Sequence, residues 1–125
     1  MSGKIGRIVA LFASMAMMVA FADLALAEET ATHKMAQIVM HLHHYPDDSD
    51  KQVLEQIEMS ASPAEATIAS ALIHMKHHVR DEDKPKLDEV SKDTTVPNNT
   101  RELAAIVMHL MHKASSSDKE KLHQM

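Results

Sequence analysis

The chain has no cysteine and no tryptophan, and its two glycines, Gly3 and Gly6, both stand at the extreme N-terminus. Without cysteine there is no disulfide framework, no thiol nucleophile, no thiolate metal site and no point of attachment for a c-type haem. The missing glycines exclude a phosphate-cradling loop, and no H-E-x-x-H sequence is present. Aromatic residues are almost as scarce: Phe12, Phe21 and Tyr45 are the whole complement, which makes a non-covalent haem pocket a poor fit. Together these absences argue against an enzyme. The formal charge of −5 argues against a nucleic-acid partner, because phosphate contacts require a basic surface. Asp47, Asp48 and Asp50 cluster, but without the glycine and the terminal glutamate of an EF-hand loop they assign no calcium site.

The N-terminus reads as an export signal. Lys4 and Arg7 precede an apolar run from Ile8 to Phe21, and Ala25-Leu26-Ala27 supplies the small-x-small pattern of a cleavage site. The run is shorter than the roughly 20 residues of a membrane span, so the expectation is a cleaved signal peptide over 1–27, no stable membrane anchor after cleavage, and a periplasmic or secreted domain over 28–125. Cleavage removes two basic residues and one acidic one, which takes the formal charge to −6. All ten histidines remain, so their full protonation would reverse the sign of the charge. The remaining core must be built from Leu, Ile, Val, Ala and Met around a single aromatic, Tyr45. Small exported domains with such cores commonly rely on disulfides, a metal or oligomerisation, and only the last two are open here.

Three segments match when the chain is laid over itself at offsets of 33 and then 35 residues. Ala36-Gln37-Ile38-Val39-Met40-His41-Leu42 falls on Ala69-Ser70-Ala71-Leu72-Ile73-His74-Met75 and on Ala104-Ala105-Ile106-Val107-Met108-His109-Leu110. The match continues through His44, His77 and His112, through Asp50-Lys51, Asp83-Lys84 and Asp118-Lys119, and through Leu54, Leu87 and Leu122. A period near 34 repeated three times identifies a repeat architecture, with units at about 30–59, 63–92 and 98–125.

Each unit reads as a longer helix, a short polar loop and a shorter helix. Met35, Ile38, Val39 and Leu42 lie at i, i+3, i+4 and i+7, as do Ile68, Ala71, Leu72 and Met75, and Leu103, Ile106, Val107 and Leu110. That spacing is one face of a helix, not of a strand. Ser62 before Pro63 marks a helix start, and Asn99 or Thr100 is placed to cap the third long helix. Ser49 with Gln52, and Ser117 with Glu120, have capping-box spacing, while Asp83 precedes Pro85 in a third cap. The predicted fold is therefore all-α: a small bundle of three helix-loop-helix repeats, about six helices.

A second face recurs on the long helices. It carries Gln37, Met40, His41 and His44 in the first copy, Ser70, Ile73, His74 and His77 in the second, and Ala105, Met108, His109 and His112 in the third. An ordinary solvated face would carry Lys and Glu. Histidines three apart on a helix stand on adjoining turns and can reach one ion together. Convergence of the three faces would gather His41, His44, His74, His77, His109 and His112, with Met40 and Met108 alongside. Imidazole and thioether ligands suit copper, zinc or nickel and not Mg²⁺ or Ca²⁺.

A blander account competes with this one, because histidines in the last helical turn interact favourably with the helix dipole. That account covers His44, His77 and His112 better than His41, His74 and His109, which stand a turn earlier. The leading expectation is an exported, non-enzymatic protein that binds or buffers a transition-metal ion. The alternatives are a helical interaction or homo-oligomerisation module with structural histidines, or a pH-responsive exported protein.

Overall fold

A computed structural model describes residues 31–125; the segment assigned to the signal peptide lies outside them. The described chain is all-helical. Residues 31–40 are helical (α1), followed by α2 (Asp48–Ser60), α3 (Pro63–His74), α4 (Lys84–Lys92), α5 (Asn98–Met108) and α6 (Ser116–His123). Among the described residues no helix is long and apolar enough to cross a membrane.

The apolar stripes form the core as their spacing predicts. All twelve stripe residues on α1, α3, α5 and the turns that follow them are buried, together with Ala36, Ala69 and Ala104, whose small side chains permit close helix approach. The shorter helices contribute the equivalent residues Leu54, Leu87 and Leu122 to the same core. Packing runs largely between units: α2 lies against α3, and α4 against α5, while α3 also touches α4 and α5.

A polar triad ties the N-terminal ends of the long helices together. Thr32, Glu65 and Thr100 occupy equivalent repeat positions, and all are buried. The Thr32 hydroxyl donates to Glu65 Oε2 at 2.8 Å and lies 2.9 Å from Thr100 Oγ1. Ser62 donates to the other oxygen, Glu65 Oε1, at 2.9 Å and accepts from the Glu65 backbone N–H at 3.3 Å, which caps the start of α3. A buried carboxylate is tolerable only with such partners. Because equivalent residues meet here and again at the far end, α1, α3 and α5 run parallel about a common axis.

Several helix starts differ from the sequence expectation. The α2 cap is Asp47, whose carboxylate accepts from Asp50 N–H, while Ser49 donates its hydroxyl to the same oxygen. The α6 cap is Ser115, which accepts from Asp118 N–H. Asp83 makes no side-chain cap because its carboxylate is taken by Arg80, with Nε to Oδ2 at 3.0 Å. Thr100 lies inside α5, where its hydroxyl meets Thr32, and Pro97 precedes the helix without a side-chain cap.

Candidate metal centre

The long helices stop earlier than the histidine pairs require. Helix α1 ends at residue 40, α3 at His74 and α5 at Met108, so His44, His77 and His112 stand beyond the helices. This corrects the expectation that each H-x-x-H pair shares one helical face. Pro46 disfavours the helical conformation at Tyr45, and the second and third units follow the same path without a proline.

Beyond each helix the chain makes a very tight reversal centred on the histidine. Tyr45 N–H donates to the His43 carbonyl at 2.8 Å, His78 N–H to Lys76 at 2.7 Å, and Lys113 N–H to Met111 at 2.7 Å. The central residues have φ of 71° at His44, 65° at His77 and 67° at His112. A hydrogen bond between residues i and i+2 across a central residue of this φ is the rare γ-turn of positive φ, a strained conformation. Such backbone costs on the order of 1–3 kcal/mol per residue and collects at functional sites. Glycine would adopt it at least cost. Three histidines stand there instead, so the reason for their identity lies in their side chains.

The three turns are locked to one another. His44 N–H donates to the His112 carbonyl at 2.7 Å, His112 N–H to the His77 carbonyl at 2.6 Å, and His77 N–H to the His44 carbonyl at 2.9 Å. This closed cycle satisfies three donors and three acceptors that the helices leave behind. It also sets the three Cα–Cβ bonds around one axis.

The imidazoles converge through Nδ1. His44 and His112 Nδ1 are 3.1 Å apart, His77 and His112 3.2 Å, and His77 and His44 3.3 Å. The rings are arranged as a propeller, with centroids 5.0–5.2 Å apart and interplanar angles of 70–86°. A proton on one Nδ1 can bridge one of these contacts at a time, leaving the other lone pairs turned toward each other. A cation at the centre removes that repulsion. These three residues form a group able to hold a metal ion.

The other residues singled out by sequence take different places. His41 borders α2 beside Lys34, Gln37 and Asp50, and His109 occupies the equivalent position beside Glu102, Asp118 and Lys121. His74 Nδ1 lies 2.8 Å from the Ser70 carbonyl, one turn back on its own helix. Met40 and Met108 are half-buried and pack on the core with Ile73. Thus the structure gathers the second histidine of each pair and leaves His41, His74 and His109 outside the group, while Met40 and Met108 pack on the core. Near His41, burial pushes the Asp50 carboxyl up from its ordinary value, and the neighbouring Asp47 charge adds to that effect.

His44, His77 and His112, three of the six histidines with repeat spacing, thus come together as a group that could hold an ion, on turns and not on helices. The helix-dipole account loses its footing, since these histidines sit in none of the helices. Pro46 was the available signal that the helical period could not continue. No protein-family model, curated protein or solved structure matches the chain.

Proposed function

We propose that this is a non-enzymatic, exported metal-binding protein that holds one transition-metal ion on Nδ1 of His44, His77 and His112. The observation that carries this reading is the near-equilateral Nδ1 triangle with edges of 3.1–3.3 Å. A tetrahedral zinc ion bonded at about 2.0–2.1 Å separates its ligands by about 3.3–3.4 Å. A square-planar ion would instead want one trans pair roughly 4 Å apart, which the triangle does not offer. Of copper, zinc and nickel, zinc is thus the best match. Met40 and Met108, which pack on the core, add no thioether preference for Cu(I).

The signal-like N-terminus supports a role outside the cytoplasm, where a cysteine-free imidazole site is insensitive to thiol oxidation. Buffering or delivery of an ion suits a site whose three ligands are exposed at one end of the bundle.

Metal analysis and titration calorimetry with Zn²⁺ test the assignment. One ion per chain is expected, with affinity abolished in the triple variant His44→Ala, His77→Ala, His112→Ala. The single His77→Ala change should cost more than the roughly 10–100-fold typical of an outer-shell partner, whereas His41→Ala, His74→Ala and His109→Ala together should leave affinity nearly unchanged. Equal uptake by the wild type and the His44, His77, His112 variant would overturn the reading.

A further inference from the structure

Among the described residues, no fourth histidine, cysteine or carboxylate joins the three-histidine group. Leu42, Met75 and Leu110, each two residues before one of the three histidines, are buried in the core. The histidines themselves are exposed. A tetrahedral ion held there would therefore take its fourth ligand from solution.

The turns determine what surrounds that position. Each places one exposed residue before the histidine and one after it: His43 and Tyr45, Lys76 and His78, Met111 and Lys113. None of the six is acidic, in a chain where Asp and Glu outnumber Lys and Arg by 18 to 13. Two are lysines. The first unit adds a third, because Lys51 Nζ stands 6.0 Å from the Tyr45 ring centroid. Each of the three units thus contributes one lysine to the rim or directly behind it.

Of the acidic groups that follow these turns, Asp48 is exposed and others are engaged. Asp47 accepts from Ser49 and from the Asp50 backbone. Glu82 and Asp83 pair with Arg80, and Asp81 with Lys84. The residues flanking the histidines therefore carry positive charge and no negative charge, to which any ion the histidines hold would add. A single-signed rim of this kind concentrates small ions of the opposite charge.

We propose that the fourth coordination position takes a small oxyanion from solution, a carboxylate or phosphate, bound to the ion and flanked by Lys76 and Lys113, with Lys51 behind Tyr45. The inference rests on the three-histidine ion proposed above. It makes the loaded protein a carrier of an ion and anion together, not of a naked cation. A second copy of the chain is a poorer occupant, because two such rims would face each other with like charge.

Cobalt(II) provides the test, since its visible spectrum reports the ligand set directly. The full-length protein is loaded with Co²⁺ and titrated with sodium acetate and sodium phosphate at constant ionic strength in a perchlorate background. The expected result is one Co²⁺ per chain and a saturable spectral change with each anion. A Lys76→Glu, Lys113→Glu variant should keep its cobalt stoichiometry while anion affinity falls about tenfold or more. A spectrum unmoved by either anion in the loaded protein overturns this inference while leaving the metal site intact, as does unchanged anion affinity in the charge-reversed variant. One cobalt shared by two chains, seen by sedimentation, overturns it in favour of a second copy. Cobalt uptake that survives loss of all three histidine ligands overturns both this inference and the metal site on which it rests.

Discussion

The two ends of the bundle solve different problems with the same repeat positions. At one end Thr32, Glu65 and Thr100 are buried and differ from one another; at the other His44, His77 and His112 are exposed and identical. The buried triad is a chain of hydrogen bonds in which each member plays a separate part, with Glu65 accepting from Thr32 and Ser62, and Thr100 meeting Thr32. Asymmetry is useful there, because a network needs donors and acceptors. The histidine triad has three equivalent atoms meeting at one point and no internal partner that satisfies them all. Identity there yields a group that an ion from outside the chain could complete.

The largest expected effect lies at the buried end. Glu65→Ala strands the Thr32 and Ser62 hydroxyls and opens a cavity, and should destabilise the protein by about 2–4 kcal/mol in chemical denaturation. Metal stoichiometry in the remaining folded fraction should stay at one. Loss of metal binding from that fraction would show that the two ends are coupled and not independent.

Next in size is the ion itself. Zinc at a hundredfold excess over its dissociation constant should raise stability by about 2.7 kcal/mol, seen as a shift in thermal midpoint that the triple histidine variant lacks. A third change separates backbone from side chain. His77→Gly relieves the φ of 65°, so without metal it should leave stability unchanged or raise it by up to about 1 kcal/mol, while zinc binding collapses. Marked destabilisation of the metal-free protein by His77→Gly would mean that the histidine is retained for the fold.

The smallest effect is electrostatic. Backbone and side-chain hydrogen bonds from Asp50 and Ser49 hold the Asp47 carboxyl below its ordinary value, and the Thr95 hydroxyl and N–H do the same for Asp93. Their contribution is complete above the ordinary carboxylate range and is lost as pH falls through the lowered values. Burial of Asp50 acts in the opposite sense. Denaturant midpoints should therefore decline only gently below about pH 4, and Asp47→Asn should flatten part of that decline.

Much of the fold was legible because the repeat supplies three readings of one pattern. The stripe at Met35, Ile38, Val39 and Leu42 and its two copies all went to the core. The site was legible in composition but not in geometry. His41 and His44 have helical spacing, and nothing local announces that His44 adopts positive φ, a conformation that glycine would ordinarily mark. The convergence of Nδ1 atoms from residues 33 to 68 positions apart is a tertiary fact. The caps failed for a similar reason: Thr100 is placed to cap α5 by local rules, but its hydroxyl is committed to Thr32 across the bundle. Arg80, by capturing Asp83, removed another expected cap.

The closed cycle of backbone hydrogen bonds among His44, His77 and His112 has a consequence for how the chain is held. Residues from the first, second and last thirds of the domain meet in it, with His44 and His112 separated by 68 positions. An ion bound there would be a removable staple across the longest loop the repeats can close, the service that disulfides give many small exported domains. In a cysteine-free chain, such a staple could be fastened or released by the concentration of metal alone.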